Sequence, residues 1–136
     1  MERTGLYFNM SHSGKYVVIA VSDVDVGIDV EHKAKNYRQV AKRFFCEEEY
    51  RSICACPDET EQKQCFLEIW TKKEAYIKLT GLGMQTPLNE FNVFHSLQYK
   101  GQKLCFQVID VEFNTWDSDY KICVCSTDTE YEVIGA

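Results

Sequence analysis

The run from Gln62 to Thr80 constrains this chain most. Phe66, Ile69, Trp70, Ala75, Tyr76 and Ile77 recur at helical spacings, and Gly81 and Gly83 follow them. That pattern predicts one long helix with a broad apolar share, stopped by the glycines. Thr60 is placed to cap its start, although Lys63 replaces the acid of a full capping box. The same helix carries Glu74 and Lys78 at i and i+4, so two charged heads share one face.

The flanking segments set the fold class. Leu6 to Met10 is a short apolar run that ends in Ser11-His12-Ser13-Gly14, a turn composition. Tyr16 to Val21 and Val26 to Glu31 are apolar runs joined by Ser22-Asp23-Val24-Asp25, a spacing that predicts a β-hairpin. Tyr37 to Phe45 reads as a short amphipathic helix with a basic face. Glu47 to Ile53 reads as a second one, its acids in the first turn where the helix dipole favours them. Phe91 to Phe94, Leu104 to Phe113 and Tyr120 to Ser126 read as strands, with loops at Tyr99 to Gln102 and Asn114 to Asp119. The order predicts an α+β fold, a mainly antiparallel sheet with helices inserted between hairpins. A chain of 136 residues is expected to form a single domain over 1–136. At that size folding buries roughly 68% of the unfolded surface, enough for a core without staples.

Charge and cysteine content narrow the function. The net charge of −6 argues against a polyanion binder, so no nucleic-acid partner is expected. One local exception runs from His32 to Cys46, with Lys33, Lys35, Arg38, Lys42 and Arg43 and no acid. Seven cysteines do not close a disulfide framework. The N-terminus lacks a basic region followed by an apolar run, so no signal peptide is expected. No stretch approaches the roughly 20 apolar residues of a membrane span, so no membrane partner is expected either. These features together predict a reduced, cytoplasmic protein. Cys54-x-Cys56 and Cys123-x-Cys125 lack both zinc-site spacing and a nearby histidine, and read as small buried hydrophobes in a helix end and a strand.

Chemistry is suggested by the acids. Asp29 and Glu31 sit at i and i+2, on one face of their strand. Hard carboxylates without histidine or cysteine suit Mg²⁺, and Glu74 is available as a third ligand. Mg²⁺ usually keeps waters and bridges substrate phosphates, so a phosphate ester or pyrophosphate would be its co-ligand, with Lys78 as a point charge upon it. The plainer alternative is an i,i+4 surface pair between Glu74 and Lys78 and two solvated acids at a strand end.

Linked motifs favour the first alternative. Gly27-Ile28-Asp29-Val30-Glu31, Arg43-Phe44-Phe45-Cys46-Glu47-Glu48-Glu49-Tyr50 and Trp70-x-x-Lys73-Glu74-Ala75-Tyr76-x-Lys78-x-x-Gly81 resemble successive signatures of the 4′-phosphopantetheinyl transferase superfamily. Phe8-Asn9-Met10-Ser11-His12-Ser13-Gly14 resembles the motif that precedes them in the surfactin-synthetase-type branch. The resemblance implies Mg²⁺-dependent transfer of the phosphopantetheine arm of coenzyme A to a serine of an acyl or peptidyl carrier protein, releasing adenosine 3′,5′-bisphosphate. By matching position it implies Asp29, Glu31 and Glu74 as metal residues and Glu49 as the acid that activates the hydroxyl. Lys78 matches the lysine on the phosphate, with Lys73 beside it. Ser11 and His12 match the pair that holds the 3′-phosphate of coenzyme A.

The surfactin-type enzymes are usually pseudo-dimers of two similar halves, and this chain resembles the second half and the junction before it. The shorter holo-acyl-carrier-protein synthases form homotrimers. A homo-oligomer, dimer or trimer, is therefore expected for an active chain. The alternative is a truncated or degenerate homologue that binds coenzyme A or a carrier protein without transfer. Lys35, Arg38 and Lys42 form an expected docking face, because carrier proteins in such reactions are typically acidic around the modified serine; a plain solvated helix face is the competing reading.

Overall fold

A computed structural model of the chain describes residues 5–81, 83, 87–109 and 120–134. Strands β1 (Tyr7–Ser13) and β2 (Tyr16–Ser22) form an antiparallel hairpin. β3 (Val26–Glu31) leads into helices α1 (Tyr37–Phe44), α2 (Glu47–Cys54) and α3 (Glu59–Thr80). A short 3-10 turn (Leu88–Glu90), the two-residue strands β4 (Gln98–Tyr99) and β5 (Gln102–Lys103), and strands β6 (Cys105–Ile109) and β7 (Lys121–Ser126) complete the order. The α+β class and the antiparallel pairing agree with the sequence pattern.

Several local expectations are corrected. The hairpin is β1–β2, not Tyr16–Val21 with Val26–Glu31. Gly14, at φ 56°, supplies the left-handed conformation that a two-residue turn needs, so Ser11, His12 and Ser13 stay in the strand. β3 pairs instead with β7, which pairs with β6, in the order β3-β7-β6. Phe91 to Phe94 is not a strand. Phe91 and Val93 turn into the helical core, both buried. The Tyr99–Gln102 loop is a tight turn between β4 and β5, with Lys100 and Gly101 at φ 50° and 80°. Residues 110–113 of the expected strand and the Asn114–Asp119 loop lie outside the described residues.

The long helix starts three residues earlier than the pattern suggested. Asp58, not Thr60, is its cap: the carboxylate accepts the Glu61 N–H at 2.8 Å. Gly81, at φ 71°, ends it as expected. The helix is buried on more than one side because two cores meet on it. Phe66, Leu67 and Ile69 pack with Tyr37, Ala41, Phe45 and Ile53 of α1 and α2, and Phe45, Phe66 and Trp70 stack. Further along, Ala75 and Leu79 pack on Leu104, Cys123 and Cys125. Cys123 and Cys125 thus behave as small core residues, whereas Cys54 at the end of α2 is exposed. Burial pushes the Cys125 thiol up to about 12. Among the described residues no helix is long and apolar enough to cross a membrane.

Candidate functional site

The site forms where β3 meets α3. Gly27 faces the helix backbone: a Cβ there would collide with the Ala75 carbonyl oxygen and lie 2.7 Å from the Leu79 amide. Only glycine permits this approach. Asp29 and Glu31 follow on the same strand face, so they come against the part of α3 that carries Glu74 and Lys78.

Asp29 is buried, with 3% of its surface exposed. Its Oδ1 lies 3.4 Å from Lys78 Nζ, which also donates to the Ile28 carbonyl at 3.1 Å. Its Oδ2 is the one buried side-chain polar atom without a hydrogen-bond partner among the described residues. Burial first, then the charge of Glu31, pushes the Asp29 carboxyl up to about 8, against the pull of Lys78. Burial and the Glu74 charge also raise Glu31, opposed by a hydrogen bond from Trp70 and by Lys78. Burial raises Glu74, and Lys78 lowers it. Three carboxylates that resist ionisation beside one another, one with a bare buried oxygen, are a hard-oxygen donor set short of positive charge. Their chemistry fits Mg²⁺. In this conformation they do not close around a point: among the described residues no group of three histidine, cysteine or acidic side chains is arranged to hold a metal ion.

Glu49 and Lys73 lie elsewhere. They form a fully buried ion pair at 2.9 Å, with both side chains 0% exposed. Lys73 donates its other two N–H groups to the Leu88 and Phe91 carbonyls, each at 2.6 Å, and sits 4.3 Å from the Phe91 ring centroid. An ammonium has three donors, so none remains for a phosphate. Glu49 accepts from the Cys46 N–H and the Val93 N–H, both at 2.9 Å. The structure thus does not bring Lys73 or Glu49, expected on a phosphate and beside a substrate hydroxyl, together with Asp29, Glu31 and Glu74. The pair ties α2 and α3 to the 88–93 segment.

Ser11 and His12 are also separated. Adjacent residues in a strand point to opposite sides, so Ser11 is buried and His12 is exposed on the outer face of the hairpin. The expected joint cradle for one phosphate is not assembled by these two side chains. Ser11 belongs to a series the sequence reading missed. Asn9 Oδ1 accepts the Ile28 N–H at 2.8 Å, Ser11 Oγ accepts the Val30 N–H at 3.2 Å, and Ser13 bonds His32. The period of two in Asn9, Ser11 and Ser13 was the available signal.

The shape resembles that of a solved holo-[acyl-carrier-protein] synthase from Thermotoga maritima. The TM-score is 0.53 at 16% identity, covering 75% of this chain and 61% of that one. The model of the 4′-phosphopantetheinyl transferase superfamily matches residues 25–125. The chain therefore belongs to that superfamily. A 4′-phosphopantetheinyl transferase of Bacillus subtilis is 35% identical over 136 residues, covering 93% of this chain and 57% of its own length. The 4′-phosphopantetheinyl transferase Sfp of Bacillus subtilis is 34% identical over 131 residues, covering 92% of this chain and again 57% of its own length. The chain thus spans little more than half the length of these relatives.

Proposed function

We propose that the chain transfers the phosphopantetheine arm of coenzyme A to a serine of an acyl or peptidyl carrier protein. The observation that carries this reading is Asp29: a buried carboxylate with one bare oxygen, beside Glu31, Glu74 and the Lys78 ammonium. In this reading Asp29, Glu31 and Glu74 hold Mg²⁺, which when bound neutralises pyrophosphate charge. Lys78 has one N–H beyond those given to Asp29 and Ile28, and offers it to a phosphate oxygen. Such transfers depend on positioning and charge neutralisation more than on covalent help from the protein. The attacking hydroxyl still needs a proton acceptor. Glu49 is sealed in the core, so Glu74, half-buried at the site, takes that role. A reducing, cytoplasmic setting accords with seven free cysteines.

The reading requires a partner surface. Phe8, Met10, Val17, Ile19 and Val21 share the outer face of the β1–β2 hairpin and are 54–75% exposed. A second copy of the chain, as dimer or trimer, covers this face in the active assembly. That no group of three histidine, cysteine or acidic side chains closes around a metal ion among the described residues favours one other reading, a module that binds coenzyme A or a carrier without transfer. The two are separated by incubating the protein with coenzyme A, Mg²⁺ and apo carrier protein. A mass gain of one phosphopantetheine on the carrier, lost in Asp29→Ala, supports transfer; no gain across several carriers supports the binding module.

A further inference from the structure

We propose that Ser11 is a positioning residue for Asp29, acting on the metal side of the site. The inference rests on the magnesium reading above. Ser11 is 6% exposed. Its Oγ lies 3.2 Å from the Val30 nitrogen and 3.3 Å from Asp29 Oδ1. A backbone N–H can only donate, so Oγ accepts from Val30, and its single proton goes to the carboxylate. Asp29 Oδ1 then receives both Ser11 and Lys78, while Oδ2 receives nothing. Two donors on one oxygen fix the carboxylate's rotation and leave the other, buried oxygen as the one with no donor of its own. Hydrogen-bonding groups behind a metal ligand typically govern affinity about 10- to 100-fold.

The neighbouring tooth of the same strand separates this role from simple strand pairing. Asn9 makes the equivalent backbone bond to Ile28, and its bond to β3 is to backbone, not to a carboxylate. Ser11 therefore holds two functions that Asn9 does not combine: it stitches β1 to the edge of β3, and it aims Asp29.

The test measures the thermal shift produced by graded Mg²⁺, each variant against its own metal-free baseline. Ser11→Ala is expected to raise the Mg²⁺ concentration for half-maximal shift about tenfold or more. Asn9→Ala stays within about twofold, and Ser11→Thr, which keeps a hydroxyl, restores most of the loss. A normal Mg²⁺ response in Ser11→Ala overturns the proposal. If the wild-type protein shows no Mg²⁺ shift at all, the magnesium reading itself falls, and the Ser11 role with it.

Discussion

Lys78 and Asp29 face each other across the gap between α3 and β3, 3.4 Å from ammonium to carboxylate. Glu74, one turn before Lys78, is not its ion-pair partner. The helix forms ordinary i,i+4 pairs at Glu59–Lys63 and Glu68–Lys72, but none at Glu74–Lys78, where the lysine is directed to the strand. Replacing Lys78 with Met removes the cation that offsets the buried acids and the donor proposed for a phosphate oxygen. Transfer is expected to fall about a hundredfold or more in kcat, the scale of losing one preorganised charge-stabilising donor. An unchanged kcat in steady-state kinetics would contradict that role.

The acids give metal-free protein an unusual pH dependence. Asp29 keeps its proton up to about 8 in the fold, against 3.8 as the ordinary value, and Glu31 and Glu74 are shifted the same way. The folded state then binds more protons than the unfolded chain. The contribution of Asp29 to stability is therefore lost as pH rises from about 4 to about 8. Denaturant melts of wild type and Asp29→Asn without metal should show the wild type losing ground to the variant across that window. Parallel curves would refute the shift.

Glu49 and Lys73 make a different prediction. Each is buried and fully hydrogen-bonded, so removing one strands the other in the core. Glu49→Ala or Lys73→Ala should each cost about 3–5 kcal/mol in chemical denaturation, typical of a broken buried pair. The double substitution should cost less than the sum of the single ones. A stable, inactive Glu49→Ala protein would instead return Glu49 to the chemistry.

Lys35, Arg38 and Lys42 are exposed on the segment around α1, and Gln62 holds the Arg38 guanidinium at 2.8 Å. If this face docks an acidic carrier, Arg38→Glu with Lys42→Glu raises the apparent KM for carrier protein several-fold. KM for coenzyme A stays as it was. Equal changes in both constants would remove the docking role.

What could be read from the chain beforehand depended on whether a signal was local. The α3 pattern and its glycine stop are local, and so is the alternation that puts Asp29 and Glu31 on one face. The partner of β3 is not local: nothing in Val26–Glu31 distinguishes β7, nearly a hundred residues away, from the adjacent β2. Two groupings implied by the motifs are separated by elementary geometry. Lys73 and Lys78 are five residues apart, about 140° around a helix, and so do not share a face. Ser11 and His12 are neighbours in a strand and point apart. A family motif read as a row of letters hides both separations.

The central claim is that the three carboxylates form a magnesium site. Isothermal titration of Mg²⁺ into the protein with coenzyme A present, at pH 8, tests it most directly. The proposed site predicts saturable binding of one ion per chain, abolished by Asp29→Asn and by Glu74→Gln but retained in Arg38→Glu. Absence of binding in the wild-type protein, or binding that survives the loss of Asp29, would contradict it.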